Sequence, residues 1–327
     1  MDAPIMSICN LKTYFPVQKG KAVYVKAVDG VDLTINKGEI MGLVGESGSG
    51  KSTLAYTVMG MYKPTGGKII FQGRDISVSY HKRPLPLKKD LQIVFQDPGS
   101  SLNPSQNIRQ ILELPLRVHK IVRKEELEWK IAQILQMVEL SPNYMYKSPA
   151  SMGGGERQMV SIARALATDP AFIILDEPTS ALDVSIQAKI INMLLKLQQE
   201  KQLTYLFITH DLSLMRNIAT RVAIMYLGKI CEMADTIEFF KNPLHPYTRM
   251  LLSSIPVVSE EEEALKPEKV ISTGEIPSPV NVPPGCSFHL RCPERTGLCS
   301  REDPVMLEVS PGHLVRCHAY KKRAGVA

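Results

Sequence analysis

The chain has 327 residues, of which 44% are hydrophobic and 22% are charged, and its formal net charge at pH 7 is +6. This composition is typical of a globular protein, and the length favours about two domains with a large core. No apolar run approaches the roughly 18 to 20 residues that span a bilayer. Residues 1–4 also lack the start of a secretory signal. We therefore expect a cytosolic chain whose mild, dispersed positive charge does not indicate a nucleic-acid partner.

The pattern of apolar residues predicts an α/β protein. Residues 8–15 and 22–35 alternate between apolar and polar side chains and predict strands, with Asp29 and Gly30 as a turn. Further strands are predicted at 40–44, 68–72, 91–95, 171–175 and 205–209, and helices at 54–61, about 154–167 and 186–197.

A glycine-rich loop joins the strand at 40–44 to the helix at 54–61. It reads Gly45, Glu46, Ser47, Gly48, Ser49, Gly50, Lys51, Ser52, Thr53. Glycines allow a tight turn that points backbone N–H groups at phosphate oxygens. In such a loop Lys51 reaches the β- and γ-phosphates and the Ser52 hydroxyl binds Mg²⁺. A chance glycine turn is a poor alternative for nine matching residues between a strand and a helix, so we predict a nucleoside triphosphate site.

Polar side chains stand at the ends of three other predicted strands. They are Gln96, the pair Asp176 and Glu177, and His210. The carboxyl ends of parallel strands form the ligand crevice of an open sheet. There Asp176 could hold Mg²⁺, Glu177 could deprotonate the water that attacks the γ-phosphate, and Gln96 could touch both. Any one of these residues alone would have a structural explanation, whereas together they predict a catalytic set.

Residues from about 99 to 160 change character and predict a helical insertion into the sheet-bearing core. One helix face carries an apolar stripe that we expect to be buried: Leu127, Ile131, Ile134, Leu135 and Val138. After it, Gly153, Gly154, Gly155 and Glu156 open the next helix. Consecutive glycines there expose N–H groups that suit an anion, although a flexible helix entry is the alternative.

Together these motifs resemble the nucleotide-binding subunit of an ABC transporter, and more narrowly the ATPases of oligopeptide/dipeptide-type importers. Residues 45–53 match Walker A, Gln96 the Q-loop, residues 172–176 Walker B, Glu177 the catalytic glutamate, residues 180–183 with Asp183 the D-loop, and His210 the switch histidine. The narrower resemblance rests on residues 101–104, residues 242–249 and the cysteine-bearing tail. Of the two aromatic residues that end the first strand, the family spacing favours Phe15 over Tyr14 for stacking on the adenine.

The resemblance implies a P-loop α/β fold with a mixed sheet. It implies a nucleotide-binding domain at 1–255, a helical subdomain at about 99–160 and an extension at 256–327. It also implies Mg²⁺ with ATP, a second homologous ATPase subunit, two membrane permease subunits and, indirectly, an extracellular substrate-binding protein. The chain would then act at the cytoplasmic face of the cell membrane. Peptides are the first expected cargo, and oligosaccharides the second.

Two other functions would also use a nucleotide-binding loop. A binding module that never hydrolyses ATP would not need Glu177 and His210, which are both present. A soluble ABC ATPase of DNA repair would carry long heptad arms, and one of translation would carry two cassettes. The roughly 100 residues between Gly50 and Gly153 contain no sustained heptads, which argues against the repair type.

One motif departs from the family. The Leu-Ser-Gly-Gly signature aligns with Met152 and the three following glycines, so Gly153 replaces the serine that would contact a γ-phosphate. In this family each nucleotide lies between one subunit's Walker motifs and the other subunit's signature. We therefore predict an asymmetric heterodimer in which this chain offers its partner a weakened lid. The alternative is that the N–H groups of Gly153 to Gly155 suffice and both sites work.

Four cysteines cluster near the end of the chain: Cys286, Cys292, Cys299 and Cys317. In a cytosolic protein such a cluster favours metal ligation over disulfides, although the spacing is not that of a zinc ribbon. Importers of the resembled subgroup can carry an iron–sulfur cluster here, and four thiolates suit [4Fe–4S]. Zinc is the second expectation and free thiols the third. The bound cluster or zinc ion would hold the C-terminal extension together as a structural clip. His289, His313 or His318 could replace one ligand, and Cys9 and Cys231 are expected to be buried thiols.

Overall fold

The computed structural model describes residues 3–17, 23–180, 182–255 and 274–321. The strands are β1 (Met6–Pro16), β2 (Tyr24–Ile35), β3 (Ile40–Val44), β4 (Gly66–Phe71), β5 (Arg74–Asp75), β6 (Leu91–Val94), β7 (Phe172–Asp176), β8 (Thr204–Thr209), β9 (Arg221–Tyr226), β10 (Lys229–Asp235), β11 (Leu307–Ser310) and β12 (His313–Val315).

The α-helices follow in the same order. They are α1 (Lys51–Val58), α2 (Leu85–Asp90), α3 (Pro98–Ser101), α4 (Ile108–Val118), α5 (Leu127–Met137), α6 (Gly154–Leu166), α7 (Val184–Lys201), α8 (Leu212–Ile218), α9 (Thr236–Lys241) and α10 (Pro246–Ser253). No helix in the described ranges combines the length and apolarity needed to cross a membrane.

The chain divides into two compact units. The first comprises Met1–Asn36, Ile40–Ser79 and Thr209–Ala327, and the second comprises Lys37–Glu39 and Tyr80–Ile208.

The first unit contains two sheets. One is antiparallel, with the strand order β2-β1-β4-β5. In the other, β3 pairs in parallel with β9, and β9, β10, β12 and β11 follow as antiparallel neighbours. This sheet is mixed, as predicted. The strands β11 and β12 near the end of the chain therefore extend the same sheet that holds β3, the strand before the glycine-rich loop.

The predicted turn at Asp29 and Gly30 is wrong. The strand β2 runs through both residues, and its partners on β1 shift register there, since Leu11 pairs with Val31 and Lys12 with Asp29. Gly30 has φ +75° and is the extra residue of a bulge. A glycine with positive φ serves a bulge as well as a turn, so the local sequence did not distinguish them. Ala22, the predicted start of this strand, lies outside the described residues.

The second unit holds three parallel strands in the order β6-β7-β8. Every residue of β7 is buried, as expected for a parallel strand that is covered on both faces. Between β6 and β7 the chain forms the helices α3, α4 and α5, within the range where the sequence predicts helices. The apolar stripe is buried as predicted, with at most 5% of any side chain exposed: Leu127, Ile131, Ile134, Leu135 and Val138.

The two isolated cysteines have different environments. Cys231 on β10 is buried, which confirms the prediction, whereas Cys9 on β1 is exposed, so that prediction is wrong. The neighbours Ile8 and Leu11 supply the buried side chains of this part of β1. Cys9 alternates with Ile8, and the register shift between Ile8 and Leu11, where Asn10 has φ +46°, turns Leu11 back to the buried face.

A buried carboxylate joins β12 to the rest of the first unit. Glu232 on β10 is fully buried, and its oxygens accept hydrogen bonds from the backbone N–H groups of Leu244 at 2.8 Å and His245 at 2.7 Å. His313 on β12 is also buried, and its Nε2 lies 2.8 Å from Glu232 Oε1. A buried charge is tolerated only when it is hydrogen-bonded in this way. Glu232 thus fixes three chain segments to each other.

We expect Glu232→Gln to lower the free energy of unfolding of the first unit by about 2 kcal/mol, because a side-chain N–H₂ group would face a backbone donor. Urea denaturation followed by circular dichroism measures this change. Glu302→Gln is the matched control, since the Glu302 side chain is 58% exposed and lies 3.9 Å from Lys321. The control should change stability by less than about 0.5 kcal/mol. Equal denaturation midpoints for the two variants would contradict the role of Glu232.

Candidate nucleotide site

The glycine-rich loop lies between β3 and α1, as the sequence predicted. Lys51, the first residue of α1, is only 5% exposed, and its Nζ donates to the carbonyl oxygens of Gly45 at 2.7 Å and Glu46 at 3.0 Å. Gly50 has φ +107°, and a Cβ there would lie 2.1 Å from the carbonyl oxygen of Ala27. Only glycine fits such a position. The loop therefore holds a buried ammonium group at the positive end of a helix, a setting that suits phosphate.

The other loop residues differ in exposure. Ser47 and Gly48 are exposed, while Ser49 is buried and its carbonyl oxygen accepts a hydrogen bond of 2.8 Å from the N–H of Gly228. Ser52 and Thr53 lie half-buried in the first turn of α1. Their roles in binding phosphate and Mg²⁺ stay predictions.

The two aromatic residues near the end of β1 have different partners. The Tyr14 hydroxyl donates to Asp29 Oδ1, and burial with this bond raises the pKa of Tyr14. Phe15 is half-buried, and its ring packs edge-on against Tyr62 with 5.0 Å between centroids. Because Tyr14 is held by Asp29, Phe15 is the better candidate for stacking on a base.

His210 follows β8 and is exposed. The next residue, Asp211, is the N-cap of α8, and its Oδ1 accepts a hydrogen bond of 3.1 Å from the Leu214 N–H. This capping bond fixes the direction in which the chain leaves the strand.

In the second unit the structure brings two predicted catalytic residues together. Gln96 Nε2 donates to Glu177 Oε2 at 3.1 Å, although the residues are 81 positions apart. The Glu177 N–H donates to the carbonyl oxygen of Ile208 at 2.9 Å, which holds Glu177 at φ +46°. Non-glycine residues seldom adopt this conformation, and it is frequent at functional sites. Asp176, one residue earlier, is fully buried at the end of β7.

The signature segment begins α6. Gly153 precedes the helix, and its N–H donates to Glu156 Oε2 at 2.9 Å, while the Tyr144 hydroxyl donates to Oε1. The bond from Tyr144 holds the pKa of Glu156 below its ordinary value. Gly153 has φ −68°, and a Cβ there would come no closer than 3.9 Å to Glu156. At Gly155, in contrast, a Cβ would lie 2.5 Å from an Ile186 methyl carbon. Packing therefore requires glycine at 155 but not at 153.

Two further positions of the same motifs lie near α6 and α7. Gly154 is the first residue of α6, where a Cβ would lie 3.4 Å from Leu182. Asp183 precedes α7, and its Oδ1 accepts hydrogen bonds from the Ile186 N–H at 3.0 Å and the Ser185 hydroxyl at 2.6 Å. These bonds hold the pKa of Asp183 below its ordinary value, the bond from Ser185 most of all.

The four clustered cysteines line one cavity of about 90 Å³ in the first unit, together with His289 and His318. Burial raises the pKa of Cys286 to about 12 and that of Cys292 to about 11. These thiols therefore stay protonated at neutral pH unless a cation stabilises the thiolates. Across the described ranges, no group of three or more His, Cys, Asp or Glu side chains is arranged to hold a metal ion. His313 is not a candidate ligand, since it contacts Glu232 instead.

Two residues that the motifs did not single out contact the glycine-rich loop. Tyr247 on α10 accepts a hydrogen bond of 3.1 Å from the Glu46 N–H. Arg291, which lies between two of the clustered cysteines, forms an ion pair with the Glu46 side chain at 2.8 Å. Tyr247 belongs to the segment 242–249 that carries the narrower resemblance, but nothing in the sequence links either residue to the loop.

Comparison with known proteins places the chain in a family. The sequence model of the family described as "ABC transporter" matches residues 28–180. The family model described as "Oligopeptide/dipeptide transporter, C-terminal region" matches residues 231–299. The oligopeptide transport ATP-binding protein AppF of Bacillus subtilis is 47% identical over 321 residues, which cover 97% of each chain. The dipeptide transport ATP-binding protein DppF of Escherichia coli is 40% identical over 98% of this chain and 95% of its own length.

A solved structure agrees with this placement. The dimeric post-hydrolysis state of the ATP-binding cassette MJ0796, bound to ADP and Pi, matches with a TM-score of 0.62 and 29% identity. The match covers 71% of this chain and 98% of that structure. The predicted family is confirmed: the chain belongs to the ABC transporter family, as an ATP-hydrolysing subunit of the oligopeptide/dipeptide importer type.

Proposed function

We propose that this chain hydrolyses ATP to drive peptide uptake. It acts at the cytoplasmic face of the membrane with two permease subunits and an extracellular peptide-binding protein. The observation that carries the proposal is the loop that surrounds Lys51, in a chain whose relatives are named for oligopeptide and dipeptide transport over nearly their whole lengths. Those names favour peptides over oligosaccharides as cargo.

Each proposed site residue binds the part of the nucleotide or metal that suits its chemistry. The loop N–H groups and Lys51 bind the phosphates, and Phe15 stacks on the adenine. Ser52, Asp176 and Gln96 are the proposed Mg²⁺ ligands. When bound, Mg²⁺ offsets the negative charge that develops on the phosphate oxygens.

Glu177 is the proposed base for the attacking water, and His210 is the switch histidine. A carboxylate that is oriented by a second side chain is well suited to accept a proton. Gln96 provides that orientation through its bond to Glu177 Oε2. The unusual backbone conformation of Glu177 further restricts the direction of its side chain.

Reconstitution with the permeases and the binding protein in liposomes tests this function. We expect ATP-dependent uptake of a short peptide. Glu177→Gln should lower uptake and phosphate release at least about a hundredfold, since it removes the proposed base, and should leave nucleotide affinity intact. Glu200→Gln is the matched control, because Glu200 on α7 is 57% exposed.

A wild-type complex that binds ATP yet releases no phosphate would contradict ATP hydrolysis. A binding protein that retains oligosaccharides and no peptide would contradict the cargo, and purification with nucleic acid in place of permeases would favour a soluble ABC ATPase.

We further propose that the second ATPase is a homologous subunit and that the pair is asymmetric. The support is Gly153, where a serine would fit sterically but is absent. The N–H of Gly153 is also bound to Glu156, at 2.9 Å. The lid that this chain offers to the partner's nucleotide therefore lacks a hydroxyl donor.

Restoring the serine tests the asymmetry. The heterodimer is measured in a Glu177→Gln background, so that only the partner's site turns over. Gly153→Ser should raise phosphate release roughly tenfold or more, the effect of one added hydrogen bond to a charged group in the transition state. Gly153→Ala adds the Cβ without the hydroxyl and should change nothing. If the serine variant matches the alanine variant, the backbone N–H groups suffice and the asymmetry is wrong.

We also propose that the cysteine cavity holds a [4Fe–4S] cluster, with zinc as the second choice. The support is that four thiols line one cavity of about 90 Å³, although the described side chains there are not arranged around a metal ion. Cysteine ligation of this kind would clip the residues 286–317 together. Each bound thiol would lose its proton to the solvent on binding.

Anaerobic purification tests the cluster. We expect a brown protein with broad visible absorbance and about four iron atoms per chain. Cys292→Ser should remove most of the colour and iron. Cys9→Ser is the control, since Cys9 is exposed on β1 and should retain both. A colourless protein that contains zinc would overturn the cluster.

A further inference from the structure

The guanidinium group of Arg291 binds the glycine-rich loop through two parallel hydrogen bonds. Its Nη1 lies 2.8 Å from Glu46 Oε2, and its Nη2 lies 3.1 Å from Oε1. The Arg291 side chain is 9% exposed and that of Glu46 is 24% exposed. A two-point contact of this kind, largely shielded from water, fixes orientation as well as distance.

Arg291 is held in place on its own side. Its backbone N–H donates to the Phe288 carbonyl oxygen at 2.9 Å, which closes a tight turn. The guanidinium carbon lies 5.7 Å from the centre of the Phe288 ring and 5.8 Å from that of Tyr226, within the range of cation–π attraction. The turn runs between Cys286 and Cys292, which both line the cysteine cavity. The position of Arg291 therefore depends on the order of this segment.

Glu46 connects that contact to the phosphate-binding atoms. Its carbonyl oxygen accepts a hydrogen bond from Lys51 Nζ at 3.0 Å, and its N–H donates to the Tyr247 hydroxyl at 3.1 Å. Holding the Glu46 side chain thus restrains the peptide groups next to Lys51. Arg291 also offsets a carboxylate that would otherwise repel a triphosphate bound to the same loop.

We propose that Arg291 is a positioning residue for the glycine-rich loop, and that it makes nucleotide affinity depend on the four-cysteine segment 286–317. This inference rests on the proposed binding of ATP by that loop. Arg291 acts through Glu46 and does not contact the nucleotide. The loop binds phosphates in the ground state and the transition state alike, so Arg291 affects binding more than chemistry.

Equilibrium binding of a fluorescent ATP analogue to the purified full-length chain tests the contact. Arg291→Gln should weaken binding about tenfold, because it leaves the Glu46 charge unpaired beside the phosphates. Glu46→Gln in the same chain should recover only the part of the loss that the unpaired charge causes, and the double variant should stay about threefold or more weaker than wild type, since the two-point contact is still absent. Arg295→Gln is the matched control on an exposed arginine of the same segment and should bind as wild type does.

Turnover in the reconstituted complex gives a second measure. Arg291→Gln should raise KM for ATP about tenfold and change kcat by less than about twofold. A loss confined to kcat would contradict a positioning role in binding. So would an Arg291→Gln chain that binds the analogue as tightly as wild type, or a double variant whose affinity returns fully to the wild-type value, because charge relief alone would then explain the loss.

The link to the cysteines has its own test. Cys292→Ser should weaken nucleotide binding in the wild-type chain and should have no further effect in the Arg291→Gln chain, because both changes act on one contact. Additive losses would contradict the dependence on the cysteine segment. If the wild-type chain itself fails to bind nucleotide, the proposed function falls and this inference with it. Tight binding by Arg291→Gln alone overturns only the inference.

Discussion

The buried ammonium group of Lys51 is the strongest constraint on the glycine-rich loop of the first unit. A charge at this depth requires hydrogen-bond acceptors, and the carbonyl oxygens of Gly45 and Glu46 are two of them. Those oxygens converge because the chain turns sharply from β3 into α1, and Gly50 permits that turn where the carbonyl of Ala27 leaves no room for a side chain. The close approach of the loop to the Ala27 carbonyl therefore requires glycine at position 50 and also sets the position of Lys51, the next residue.

The residues near the end of the chain are built into this same unit by polar contacts as well as by strand pairing. Glu232 binds the backbone at Leu244 and His245 and the side chain of His313, all out of contact with water. Arg291 reaches Glu46 in the loop. A buried polar group that is left unpaired destabilises the fold by more free energy than a formed hydrogen bond contributes. Such contacts therefore favour one arrangement of the segments. The segment that carries Arg291 thereby contacts the glycine-rich loop directly.

The second unit shows how packing separates two glycines that look alike in sequence. Gly155 meets an Ile186 methyl group where any Cβ would clash, whereas Gly153 has open space on its Cβ side. Packing therefore does not require glycine at 153, and a serine with its hydroxyl would fit there. Glu177 differs again, since its positive φ is maintained by the bond to Ile208 and its side chain is oriented by Gln96.

The sequence by itself determined the family, the glycine-rich loop, the buried strands and the apolar stripe of α5, because these depend on neighbouring residues and on periodicity. It did not determine that Gly30 forms a bulge, that Cys9 is exposed or that His313 binds Glu232. Tertiary structure alone decided those points, along with the contact between Arg291 and Glu46, 245 residues apart. Contacts of this range leave no periodic signal in a single chain, since they depend on how strands pair and on which buried charges find partners.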